Sequence, residues 1–279
     1  MPSARLNDRA TLHVSGPDAE HFLQNLITTD LDQLPVGEAR PGALLTPQGK
    51  ILNDFLVSRM ADSFRIDIAA EARDAFAKRL ALYKLRAKVS IDPSDEAVGA
   101  SYETTGDGSG PIDRRFSAPV QRLYGDAAEV ADDALAGDFA AMRIAAGVAE
   151  CGADYPPSEY FPHDVLLDQN GGVSFRKGCF VGQEVVSRMQ HRGTARRRIV
   201  IVRGERHLTP GANVDADGRP IGTVLDAAET VAMAVVRIDK LADALRSDAI
   251  VSVDGVPVEP EIPSWAGYTL PDAIAEEEA

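Results

Sequence analysis

The sequence predicts an α+β protein whose C-terminal part closes into an antiparallel β-barrel. Three observations carry this expectation. Residues 51–91 read as a strand pair, an amphipathic helix and a further strand. From residue 197 onward, short apolar runs alternate with turns. Asp254-Gly255 between Val251–Val253 and Val256–Val258 is a two-residue hairpin signal.

The elements follow in order. Thr11–Val14 reads as a strand stopping at Ser15-Gly16, and Ser15-Gly16-Pro17-Asp18 starts a helix with Phe22, Leu23, Leu26 and Ile27 on one face, ended by Thr28-Thr29-Asp30. Pro47 and Gly49 place a tight turn before the strand Ile51–Val57. Phe64, Ile66 and Ile68 alternate with Arg65 and Asp67, which predicts a half-buried strand. Residues 71–85 form a helix with Ala72, Phe76, Leu80 and Tyr83 on one face, and Val89–Ile91 a short strand. Residues 104–111 are a Gly-rich loop; 127–135 and 138–148 are helical. Asp154–Ser158 is a turn, and Val173–Phe175 a short strand leading to Cys179. Ile199–Val202, Ile221–Leu225 and Val231–Val236 are barrel strands, with one helical turn at 242–245 and an acidic tail ending in Glu276–Glu278.

With 279 residues the chain has room for more than one domain, and 44% apolar with 26% charged residues is the balance of an ordinary globular protein. No run has the length of a membrane span and the N-terminus does not read as a signal peptide, so a cytoplasmic protein is expected. A net charge of −14 argues against general nucleic-acid binding. Cys151 and Cys179 form no CxxC, no HxxxH exists, and the five histidines are scattered, so no resident metal site is expected.

The chain's chemistry concentrates between Arg176 and Arg198, where seven Lys/Arg stand against one acid, Glu184. Cys179 admits two readings: a small buried apolar residue, or a reactive thiol. Lys177 beside it and a helix over Gln183–Met189 after it would both lower its pKa, and Gly178 and Gly182 allow close approach. The second reading expects a partly exposed thiolate that acts as nucleophile, redox group or transient ligand to iron or a cluster. Cys151, before Gly152, is read as structural. Arg188 and Arg192 share a face if the helix continues; such guanidinium groups suit carboxylates or phosphates, and the pattern does not choose. Arg196 and Arg198 read as solvated, with Arg197 facing opposite to both. Gln183 and Glu184 either hydrogen-bond a heterocycle or brace the local turn.

Lys177-Gly178-Cys179-Phe180-Val181-Gly182-Gln183-Glu184 resembles the KGCxxGQE signature of the YgfZ proteins, folate-binding relatives of the glycine-cleavage T-protein whose mitochondrial counterparts assist iron–sulfur maturation. Gly16, Asp18-Ala19, Phe22–Gln24, Ile27–Asp30, Pro47–Lys50, Arg143 with Gly147, and Arg192-Gly193 extend the likeness over nearly the whole chain. It implies three modules in a ring around a folate channel. Residues 1–45 with 100–196 would be the folate-binding domain, 46–99 an α+β module completing the channel, and 197–279 the barrel with its tail. The implied ligand is tetrahydrofolate, in polyglutamylated form where the arginines meet its tail. Asp54, Asn53, Arg143, Gln183, Glu184, Arg188 and Arg192 are the candidate folate contacts, and Cys179 with Lys177 the candidate reactive pair. T-proteins carry an aspartate where this chain has Asn53, and an amide cannot exchange that proton. The resemblance therefore implies a folate-binding accessory protein for iron–sulfur enzymes, including those that modify tRNA. The alternative, with Asp54 as substitute acid, is an aminomethyltransferase. An RNA-binding module built on the arginines is a third reading, set against the net charge.

Overall fold

A computed structural model describes residues 2–102, 110–193 and 195–271. The described residues divide into two compact units. The first comprises Met1–Phe139, Glu150–Pro162 and Leu167–Arg188; the second Ala140–Ala149, His163–Leu166 and Met189–Ala279. Most of the Gly-rich loop, at 103–109, and the acidic tail lie outside the described residues.

In chain order the elements are β1 (Ser3–Arg5), β2 (Arg9–Ser15), α1 (Ala19–Gln24), β3 (Glu38–Leu45), β4 (Ile51–Arg59), β5 (Ser63–Ala69), α2 (Arg73–Lys84), β6 (Ser90–Ser94), β7 (Val98–Tyr102), β8 (Ile112–Asp113), β9 (Val120–Tyr124), α3 (Asp126–Glu129), α4 (Ala136–Ala145) and α5 (Gln183–Arg192). The barrel region adds β10 (Arg197–Gly204), β11 (Asn213–Ala216), β12 (Arg219–Ala228), β13 (Val231–Arg237), α6 (Ile238–Arg246), β14 (Val251–Val253) and β15 (Val256–Glu261).

The first unit is built on one nine-stranded sheet in the order β1-β7-β9-β8-β3-β4-β5-β2-β6. Its pairings are antiparallel except β3 with β8. Phe22, Leu23, Leu26 and Ile27 pack with Phe55, Phe64, Ile66, Phe76 and Leu80 into its core. The predicted first helix is shorter than its apolar spacing suggests. It ends at Gln24, because Ile27 bridges to Leu44 and the Thr28 N–H donates to the Ala43 carbonyl. Tyr83 also leaves the predicted buried face of α2 and is exposed, whereas Phe76 and Leu80 are buried as the helical spacing requires. The strand expected at Val173–Phe175 is a series of turns and bends, and the helix expected over 127–135 is α3 followed by a 3-10 turn at Asp133–Leu135.

In the second unit the six strands β10-β13-β12-β11-β14-β15 form a closed antiparallel barrel filled by Val200, Val202, Val224, Ala234 and Val236. The hairpin at Asp254-Gly255 has positive φ at both central residues (48° and 74°), the conformation that its sequence selects. The single helical turn expected at 242–245 is a nine-residue helix, α6, whose Leu241, Ala242 and Ala244 are buried.

Candidate functional site

The segment ahead of α5 is anchored by side chains on both sides of Gly178 and Cys179. Lys177 is buried, and its ammonium donates to the carbonyl oxygens of Ile27 and Thr29 at 2.6 and 2.8 Å. Burial lowers its pKa to about 8, against the opposing pull of Asp30 and Asp32. Its ammonium also lies 5.3 Å from the ring centroid of Phe180, itself buried. Val181 packs against the core of the unit. Between these anchors Gly178 and Cys179 are exposed, and Cys179 is a free thiol.

The receiving surface is the turn after α1. Thr28 Oγ1 donates to the Gly172 carbonyl and accepts the Ala43 N–H, while Thr29 Oγ1 donates to the Pro41 carbonyl. Ser174 Oγ accepts the N–H groups of Arg176 and Lys177. Gly182, at φ +79°, backs onto the Pro47–Lys50 turn: a Cβ there would sit 2.5 Å from the Thr46 carbonyl oxygen and 3.0 Å from Gly49 Cα. Two separately predicted motifs therefore meet, and both need glycine at the contact. Gly178 has nothing within 4 Å and meets no such demand.

Cys179 lies ahead of α5, which opens at Gln183, rather than in its first turn. Gln183 is half-buried at the helix start. Glu184 is exposed and accepts from Arg188 at 2.6 Å, four residues on. Arg188 and Arg192 are both exposed on this helix.

Asn53 and Asp54 do not share a face, since neighbours on β4 point to opposite sides of the sheet. Asn53 is half-buried. Asp54 is buried and accepts from the Tyr155 hydroxyl at 2.6 Å and the Cys151 N–H at 2.9 Å, both on Oδ2. Burial raises its pKa, opposed by the Tyr155 bond. Neither bond engages Oδ1. Cys151 is buried, its Sγ 3.8 Å from the Leu52 carbonyl; burial pushes its thiol up to about 12. It also borders a cleft of about 330 Å³ with Asp8, Arg9, Glu71 and Glu150. Cys179 lines neither this cleft nor those of about 440 Å³ on the barrel and about 200 Å³ beside Gly16.

In the second unit Arg143 donates to the Val148 carbonyl at 2.7 Å and lies 3.4 Å from Asp226. Gly147, at φ +72°, would place a Cβ 2.8 Å from Pro263. The Arg-x-x-x-Gly pattern thus caps the end of α4 and lets the chain turn there. Arg198 is not solvated as the sequence suggested: it is buried, donates to the His163 carbonyl at 2.7 Å and lies over the Tyr268 ring. Arg197 pairs with Asp164 at 2.7 Å.

Sequence reasoning missed a buried charge network. Asp67, expected on a solvated strand face, is fully buried and accepts from Arg9, Arg122 and Tyr124. Burial alone would raise its pKa, yet Arg122 and Arg9 hold it below the usual carboxylate range. Arg115 joins Asp113 to Glu150 beside it. The alternation in β5 gives no hint of this, because the partner arginines come from β2 and β9.

Among the described residues no helix is long and apolar enough to cross a membrane, and no group of three His, Cys, Asp or Glu could hold a metal ion.

A family model described as the GCVT N-terminal domain matches residues 6–100, and one described as the CAF17 C-terminal beta-barrel domain matches residues 196–268. The chain is 30% identical over 307 residues to the mitochondrial iron–sulfur cluster assembly factor IBA57 of Mus musculus, covering 94% of this chain and 84% of that protein. It is 29% identical over 287 residues to the tRNA-modifying protein YgfZ of Edwardsiella ictaluri, covering 89% and 87%. The glycine cleavage system aminomethyltransferase T from Bartonella henselae shares the fold, with a TM-score of 0.72 at 17% identity over 94% of this chain and 85% of that one.

Proposed function

We infer that this chain, which belongs to the family of the assembly factor IBA57 and the tRNA-modifying protein YgfZ, is an accessory protein for assembly or repair of iron–sulfur clusters. The observation that carries the reading is the placement of Cys179: an exposed free thiol between side chains fixed in the body of the first unit. A thiolate is a soft ligand suited to iron and its clusters, which are cargo here rather than a resident cofactor. Client enzymes would donate or receive the cluster, and enzymes that modify tRNA are among them in this reading. Both cysteines are free, which suits a reducing compartment, and the reading places the protein in the cytoplasm.

Tetrahydrofolate is the ligand proposed for the T-protein-like fold, with Asp54 Oδ1 accepting from the pterin edge. Its polyglutamate tail would meet exposed arginines such as Arg188 and Arg192. The alternative, aminomethyl transfer, is disfavoured by Asn53 at the expected acid and by the engagement of Asp54 with Tyr155 and the Cys151 N–H. A glycine-cleavage assay with lipoylated carrier protein separates the two, since robust turnover would favour the transferase.

The test of the accessory reading is complementation of a bacterium deleted for its own homologue. Expression of this chain should restore the activities of its cluster-containing enzymes, and unchanged low activities would contradict the reading. Calorimetric titration with tetrahydrofolate tests the ligand: Asp54→Asn should weaken binding by about tenfold.

A further inference from the structure

Helix α2 buries Phe76 and Leu80 in the core of the first unit, and its opposite face should be polar. It is not. Leu82 is 77% exposed, Leu85 just past the helix end is 90% exposed, and Tyr83 between them is 38% exposed. Lys78 and Arg79 precede Leu82 by four and three residues, so they flank it on the same face. Lys84, Arg86 and Lys88 complete the surround, and among the described residues none of these five cations makes an ion pair. Between Arg73 and Lys88 there are six cations and one acid, in a chain of net charge −14. Arg73 is accounted for by Asp74 and Asp95.

We propose that the Leu82–Tyr83–Leu85 face of α2, with its ring of unpaired cations, docks an acidic amphipathic helix of a partner protein. Apolar side chains of that helix would cover the two leucines, and its carboxylates would meet Lys78, Arg79 and Arg86. Charge complementarity selects this occupant. A bilayer or nucleic acid presents negative charge over an extended surface, which the acidic body of the chain repels. A single helix brings its acids only to this patch, and screening over about 8 Å at physiological salt hides them from the rest. Strand addition is not the route: β6, the neighbouring edge of the sheet, carries Pro93, which cannot donate to a ladder. The proposal does not rest on the folate or thiol readings.

The test is selection of helix-length peptides from a random displayed library against the full chain, with affinities read by fluorescence anisotropy. Selected peptides should carry Asp or Glu interleaved with Leu, Ile or Phe at helical spacing. Their affinity should fall by about tenfold or more in Leu82→Ser/Leu85→Ser and separately in Lys78→Glu/Arg79→Glu. The charge-reversed variant should regain affinity for the same peptides with Lys in place of their acids. All four residues are exposed, and unchanged melting temperatures would confirm folding. Equal binding by the variants, or selected peptides without acid enrichment, would overturn the proposal. So would leucine-dependent binding to phosphatidylglycerol–phosphatidylcholine vesicles without peptide discrimination, or leucine-dependent dimerisation in sedimentation.

Discussion

The Lys177 ammonium meets the carbonyl oxygen of Thr29 at 2.8 Å, joining points 148 positions apart in the chain. It meets Ile27 in the same way at 2.6 Å. Lys177 is thus a strut holding the loop that carries Cys179, and the sulfur is displayed because its neighbours are tied down.

Lys177→Met should therefore destabilise the protein by about 1–3 kcal/mol, the cost of leaving buried carbonyls without donors. Urea unfolding reads this. The pH dependence has a definite sign. Lys177 titrates at about 8 in the fold against 10.5 ordinarily, so between these values the unfolded chain binds more protons and stability should rise with pH. The rise should be absent in Lys177→Met.

Gly182→Ala places a methyl against the Thr46 carbonyl in a left-handed backbone conformation. It should cost about 1–3 kcal/mol and lower the melting temperature. Gly178→Ala, with open space around it, should change the melting temperature little. Equal losses at both positions would contradict the packing of Gly182 on Gly49.

Asp67→Asn leaves the buried Arg9 and Arg122 without their shared counter-charge. A loss of about 3–5 kcal/mol is expected, measured by denaturant unfolding. Because the folded carboxyl titrates below its ordinary 3.8, its stabilisation is present above that pH and is lost as pH falls through the folded value. The acid-unfolding limb of the wild type should be correspondingly flatter in Asp67→Asn.

Alkylation of the native protein near pH 8 should modify one thiol, Cys179, while Cys151, buried and protonated up to about 12, reacts only on unfolding. Mass mapping distinguishes the two. Modification of Cys151 in the native state would contradict its structural assignment.

The legible parts of the fold were those with a local signature. β5 announces itself by alternation, β4 by its apolar run after the turn at Pro47–Gly49, and the barrel hairpin by Asp254-Gly255. β7, every residue of which is buried, reads Val-Gly-Ala-Ser-Tyr and shows no period. β3 was hidden by its internal Pro41-Gly42, and β9 by Arg122, whose partner lies 55 positions away on β5. At the candidate site, Cys179 was found from its flanking glycines and cation. The task of Lys177 was not, because backbone carbonyls reached through folding leave no mark in local sequence.

The most direct measurement is cluster-enzyme activity in a host deleted for its own homologue and supplied with Cys179→Ala. The variant removes an exposed sulfur and should fold as the wild type does. Activities that stay at the deletion level, with the variant present in normal amounts, are the predicted result. Full restoration would remove the thiol from the function.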